Sequence, residues 1–126
     1  RDLVLLATGT GIAPLKALLE GLAKSEVLPR SVHLLWGGRT PADLFWTPDF
    51  PTLPLRFTPV LSRAGAGWQG ERGHVQDVLL ARAPALAATD VYACGSPDMI
   101  RGARAALVTA GLAPRRFFSD AFVSST

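Results

Sequence analysis

Residues 2–8 read Asp-Leu-Val-Leu-Leu-Ala-Thr and run straight into Gly-Thr-Gly-Ile-Ala-Pro at 9–14. This junction constrains the fold more than any other stretch of the chain. Five of the first seven residues in it are apolar and none alternates with a polar one. A strand with one wet face alternates; a strand covered on both faces does not. The run therefore predicts a central strand of a parallel sheet. Glycines at 9 and 11 predict a tight turn whose backbone a ligand can approach, and Pro14 suits the first turn of a helix.

The rest of the chain repeats the alternation of short apolar runs with longer amphipathic ones. Helix is expected over Pro14–Ser25, with Leu15, Leu18, Leu19 and Leu22 on one face. Further strands are expected at Ser31–Trp36, Leu55–Leu61, Asp90–Cys94 and Arg116–Ser119. Pro59 weakens the second of these. A short helical turn is expected at Pro41–Trp46, before the irregular crossing marked by Pro48, Pro51 and Pro54. Gly65, Gly67, Gly70 and Gly73 read as a flexible loop. His74–Ala83 and Pro97–Ala110 read as helices, the latter stopped by Gly111. Strands alternating with helices imply parallel pairing and right-handed crossovers. The fold class expected is α/β: a doubly wound, Rossmann-like five-stranded parallel sheet in a three-layer sandwich. Such a fold binds its ligand at the carboxyl ends of the strands.

Composition limits what this fold can do. At 126 residues, 48% of them hydrophobic, one domain with a real core is expected. The only cysteine is Cys94, which excludes an intrachain disulfide, a cysteine zinc cage and a cysteine-held iron–sulfur cluster. The net charge of +3 comes largely from dispersed arginines. Nucleic-acid binders usually show a basic stripe instead, so no nucleic-acid partner is expected. The longest apolar stretch, Leu3 to Leu15, is broken by Gly9, Gly11 and Pro14, so no membrane span is expected. A cytoplasmic location is the default. A strand beginning at residue 2, behind Arg1, is expected of a piece of a longer protein.

Each strand end offers a candidate. Gly9-Thr10-Gly11 at the start of a helix is either a phosphate-binding arrangement or a plain strand-to-helix turn. It is not the dinucleotide fingerprint, since Pro14 stands where that motif has glycine or alanine. Gly37-Gly38-Arg39-Thr40 lacks the acidic residue that usually binds a ribose 2′-hydroxyl; Arg39 either faces a phosphate or is solvated. Ser62-Arg63 is either a ribose and 2′-phosphate contact or an ordinary loop. Trp68 is read as a packing residue. Cys94-Gly95-Ser96-Pro97 puts the cysteine either against a ligand or simply in the core.

Four of these segments together resemble the ferredoxin–NADP reductase superfamily. They are Gly9-Thr10-Gly11-Ile12-Ala13-Pro14, Leu35-Trp36-Gly37-Gly38-Arg39, Ser62-Arg63 with Trp68-x-Gly70, and Cys94-Gly95-Ser96-Pro97. The tail Phe117–Phe122 is similar to that of the oxygenase-reductase and deoxysugar-reductase branch. The resemblance covers the whole chain but only the pyridine-nucleotide half of the family, so residues 1–126 are expected to be one NAD(P)-binding domain. It implies a flavoenzyme that passes hydride from NAD(P)H to FAD, then electrons to an iron–sulfur domain or protein, or a similar acceptor. Gly9, Thr10, Gly11 and Pro14 would border the pyrophosphate. Ser62 and Arg63 would lie by the adenosine ribose and any 2′-phosphate, with Arg72 and His74 at a further basic and an adenine-stacking position. Cys94, Gly95 and Pro97, with Ser96 between them, would shape the nicotinamide pocket. Asp120 would sit beside the reacting centre and Phe122 near the flavin ring.

The family's flavin half carries Arg-x-Tyr-Ser/Thr and a later Gly-x-x-Ser, and neither occurs here. FAD is therefore expected to be held by another domain of the parent chain, and these residues alone are expected to be inactive. NADH versus NADPH stays open. Two other readings stand beside the reductase: a Cys/His hydrolase using Cys94 and His74, and a non-enzymatic nucleotide-sensing module on the same fold.

Overall fold

The computed structural model describes residues 1–121. Its elements in chain order are β1 (Asp2–Thr8), α1 (Ile12–Ala23), β2 (Ser31–Gly38), β3 (Leu55–Leu61), β4 (Glu71–Arg72), α2 (Val75–Ala81), β5 (Thr89–Gly95), α3 (Pro97–Thr109) and β6 (Phe117–Ala121). All strands pair in parallel, in the order β4-β3-β2-β1-β5-β6.

The unalternating β1 run is explained by this order. Leu5 and Ala7 point to one face, where α1 packs with Ile12, Leu15 and Leu19. Val4 and Leu6 point to the other, against Val75, Val78, Leu79, Ile100 and Leu107 of α2 and α3. Right-handed crossovers dictate the layering. The chain winds outward from β1 to β2 and puts α1 on one face; it then returns to β5 and winds the opposite way, which puts α3 on the other. The reversal falls between β1 and β5, so a crevice opens beyond their carboxyl ends.

The class is as expected, but the sheet has six strands where the sequence led to five. The sixth, β4, lies inside the glycine loop and pairs only Val60 with Glu71 and Leu61 with Arg72. Both β4 residues are exposed, so no apolar pattern marks them. Hydrogen bonds hold the loop instead: Trp68 Nε1 donates to the Glu71 carbonyl at 2.9 Å, and the Arg72 guanidinium donates to the carbonyls of Ala64, Gly65 and Trp68. The helical turn expected at Pro41–Trp46 shrinks to Pro41–Asp43, because Leu44 leaves helical angles at φ −96° and ψ +75°.

Pro59 does not disturb β3. Val32 N–H donates to the Pro54 carbonyl and Ser62 N–H to the Gly38 carbonyl, so even-numbered positions of this segment face β2. Gly73 N–H donates to the Leu61 carbonyl, so odd-numbered positions face the outer edge. Pro59 is odd, and its missing N–H costs no bond to β2. Ser96 caps α3, its Oγ accepting from Met99 N–H at 3.2 Å. At the far end Leu112 N–H donates to the Leu107 carbonyl and Gly111 N–H to that of Val108, a Schellman pair with Gly111 at φ +118°. Among the described residues no helix is long and apolar enough to cross a membrane.

Candidate functional site

A cleft of about 1390 Å³ lies over the carboxyl ends of β1, β2, β3 and β5 and the amino ends of α2 and α3. That exceeds the usual range of roughly 300–1,000 Å³ for a drug-sized ligand and suits an extended one.

Its first wall is the turn after β1, with Thr8, Gly9 and Thr10. Gly9 has φ +54°, and a Cβ there would meet nothing within 4 Å, so the space over it is open. Gly11 is needed for a different reason. A Cβ on it would stand 2.6 Å from the Cys94 carbonyl carbon, so α1 can begin this close to β5 only without a side chain. A tight 3-10 turn over Gly9–Gly11 leads into α1 and occupies the Ile12 N–H, which donates to the Thr10 carbonyl, and the helix dipole adds partial positive charge at this end.

The second wall comes from β2 and β3. Their pairing continues past the strand ends: Ser62 N–H donates to Gly38 and Arg63 N–H to Arg39, both at 2.9 Å. This sets Arg39 and Arg63 side by side at the mouth of the cleft, both exposed. Among the described residues neither is in an ion pair within 4 Å. Two guanidiniums outside any ion pair make an anion-binding edge. Asp43 sits behind them. Its carboxylate accepts from Arg39 N–H at 2.9 Å and Thr40 N–H at 3.2 Å, and these backbone bonds, Thr40 first, hold its pKa below the usual carboxylate value.

The third wall is His74, Val75 and Gln76 at the start of α2, and the fourth Gly95, Ser96, Asp98 and Met99 at the start of α3. Thus the cleft lining unites Gly9, Thr10, Arg39, Ser62, Arg63, Gly95 and Ser96, and His74 with them. It does not include Gly11 and Pro14, which stand behind the turn, Pro97, or Arg72, whose guanidinium is spent on the loop carbonyls. Cys94 is fully buried, among residues of the α1 face. Burial, reinforced by the charge of Asp120, pushes its thiol up to about 11. Asp120 pairs with Cys94 across β5 and β6 and is exposed. Phe122 lies outside the described residues.

A buried thiol held protonated is a poor nucleophile. His74 is exposed on the cleft wall. The Cys/His hydrolase reading therefore lacks both its thiolate and access to it.

Asp43 and Gln76 are cleft residues that the sequence reading did not single out. Asp43 had a signal: Thr40-Pro-Ala-Asp43 has the spacing of a capping box, which the structure forms. Gln76 had none. Its Oε1 is buried without a hydrogen-bond partner among the described residues, and its Nε2 lies 3.4 Å from where a Cβ on Gly102 would stand, a place only the packing of α2 on α3 defines.

Comparison with known proteins agrees with this geometry. Residues 5–105 match the model of the oxidoreductase NAD-binding domain family. The CDP-6-deoxy-L-threo-D-glycero-4-hexulose-3-dehydrase reductase of Yersinia pestis is 38% identical over 98% of this chain, which spans 38% of that protein. Among solved structures, an Amycolatopsis cytochrome P450 reductase superposes with a TM-score of 0.84 at 28% identity, over 99% of this chain and 38% of the other. A ferredoxin NADP+ reductase from Neisseria gonorrhoeae, solved with bound FAD and NADP, gives 0.78 at 25% identity, over 95% and 55%. This chain thus spans well under half the length of the curated reductase it resembles.

Proposed function

The chain belongs to the oxidoreductase NAD-binding domain family, and from that premise we propose that it is the NAD(P)H-binding domain of a flavin-dependent reductase. The observation that carries this is the polarity of the cleft. One end is a helix start with open space over Gly9, the other a pair of arginines outside any ion pair among the described residues, and the crevice between them leads from β1, beside the switch point, across the ends of β2 and β3.

In this reading the turn at Gly9 and Thr10 binds the pyrophosphate, with Gly11 and Pro14 supporting it from behind. Ser62 receives the adenosine ribose, and His74 presents its ring beside the adenine. Arg39 and Arg63 grip a 2′-phosphate, which favours NADPH over NADH. Gly95, Ser96 and the start of α3 border the nicotinamide. Cys94, neutral and buried, closes the back of that pocket without placing a charge there, and Asp120 stands beside it. These residues position the ring and shield it; the protein supplies orientation rather than redox chemistry. A neighbouring domain of the parent protein would hold FAD, which would supply the conversion of hydride chemistry into single-electron transfer toward an iron–sulfur or similar acceptor. A cytoplasmic parent protein goes with this reading.

Titration with NADH and NADPH, followed by calorimetry, tests it. Binding of at least one is expected at millimolar concentration or below; absence of both removes the reading. Arg63→Ala is expected to weaken NADPH by about tenfold or more, the scale of a charge-assisted hydrogen bond, and NADH by less than about twofold. The 126-residue chain should neither retain FAD nor oxidise NAD(P)H, and a yellow, active preparation would refute the proposed division between domains.

A further inference from the structure

Trp36 does not line the cleft, yet it touches the turn that does. Its side chain is fully buried on the α1 face with Ala7 and Ile12, and its Nε1–H donates to the Gly9 carbonyl at 3.2 Å. The register explains the reach: Trp36 pairs with Ala7, two residues short of Gly9 on the neighbouring strand. On its other side the ring of Phe45 meets Trp36 edge-on, with centroids 5.1 Å apart and planes at 88°. Phe45 is 68% exposed, so it shields the buried indole from solvent.

Each partner answers a need of the other. A buried indole N–H without an acceptor is costly, and a carbonyl at a left-handed turn has left the strand ladder. The bond also orients the turn. The peptide linking Gly9 and Thr10 is trans, so its carbonyl and N–H point in opposite directions. With the Gly9 oxygen held toward the aromatic layer, the Thr10 N–H is turned away from that layer. A carbonyl oxygen facing an anionic ligand would repel it; an N–H attracts it.

We propose that Trp36 is a positioning residue for the phosphate-binding turn: through its bond to the Gly9 carbonyl it keeps that oxygen away from the ligand and the following N–H available to it. The inference rests on the nucleotide reading above. It concerns the affinity for phosphate-bearing ligands, not the adenosine end of the site.

Trp36→Phe retains an aromatic ring and loses the donor. ADP and adenosine are the probes, titrated calorimetrically into both proteins. The variant is expected to bind ADP about three- to tenfold more weakly, the scale of one neutral hydrogen bond, with adenosine affinity unchanged within about twofold. A merely structural role would weaken both alike, and that result overturns the proposal. Equal ADP affinity in a folded variant overturns it alone, leaving the nucleotide reading intact. Failure of the wild-type chain to bind ADP overturns the proposal as well, while the nucleotide reading stands or falls on the NADH and NADPH titrations. Should the variant not fold, the wild type still decides. In nitrogen–proton NMR spectra, ADP is expected to shift the Trp36 indole resonance and the Thr10 amide, while adenosine leaves both in place. An indole resonance indifferent to saturating ADP overturns the proposal.

Discussion

Gly11→Ala sets two physical expectations against each other, with opposite signs. Gly11 has helical angles, φ −59° and ψ −12°, at the start of α1. On local grounds alanine should stabilise the chain by about 0.5–1 kcal/mol, since it restricts the unfolded state and favours helix. The fold says otherwise. The new Cβ would stand 2.6 Å from the Cys94 carbonyl carbon and 3.0 Å from the Gly95 nitrogen, where contact needs about 3.5 Å. Neither neighbour is the free end of a side chain; both are backbone held in the sheet, Cys94 opposite Ala7 of β1 and Gly95 opposite Ala121 of β6. The loop and strand must separate by roughly 1 Å, and overpacking of this kind costs about 1–3 kcal/mol. Taking the upper end because the backbone is pinned, and subtracting the local gain, the net loss is about 2 kcal/mol, or roughly 6–10 °C in Tm at this size. Gly9→Ala is the control. Its Cβ meets open space, so only the left-handed backbone at φ +54° opposes it, costing about 1 kcal/mol. Urea unfolding followed by tryptophan emission and circular dichroism would measure both, provided the m-values match wild type. A Gly11→Ala protein as stable as wild type, or more stable, would refute the argument that close approach of α1 to β5 dictates glycine there.

Three further outcomes are expected. His33, half-buried with its Nε2 2.8 Å from Thr58 Oγ1, is pushed down from 6.5 to about 4 by burial first and then by Arg82 and Arg56. Below pH 6.5 the unfolded chain therefore binds the proton that the folded one refuses, and stability falls as pH drops toward 4, by at most about 3 kcal/mol at 1.36 kcal/mol per unit. His33→Gln should flatten urea midpoints between pH 6.5 and 4.5, and an unchanged slope would place the titrating group elsewhere. Cys94, with its thiol at about 11 and no exposure, should react with iodoacetamide at pH 8 at least about a hundredfold more slowly than free cysteine until urea unfolds the chain; rapid alkylation of the native protein would contradict its burial. Ser96→Ala removes the cap that accepts from Met99 N–H and should cost about 1 kcal/mol in thermal or chemical unfolding, whereas Ser96→Asp should retain most of it.

Sequence and structure divided the work along a physical line. The sequence by itself determined whatever depends on neighbours along the chain. The unalternating apolar run of β1, the helical stripe of α1, the stop at Gly111 and the glycine turn after β1 are all short-range signals. Together they were enough for the class of the fold and for the strand ends as the place to look. Tertiary structure decided what depends on distance between segments. It made β4 from two exposed residues with no pattern of their own, and it rendered Pro59 harmless by facing it to the edge. It spent Arg72 on loop carbonyls while leaving Arg39 and Arg63, twenty-four positions apart in sequence, side by side. It enclosed Cys94 and brought the Trp36 indole to Gly9. Periodicity reports which face of an element is buried. It does not report which element will cover that face, or which hydrogen bonds remain unmade until it does.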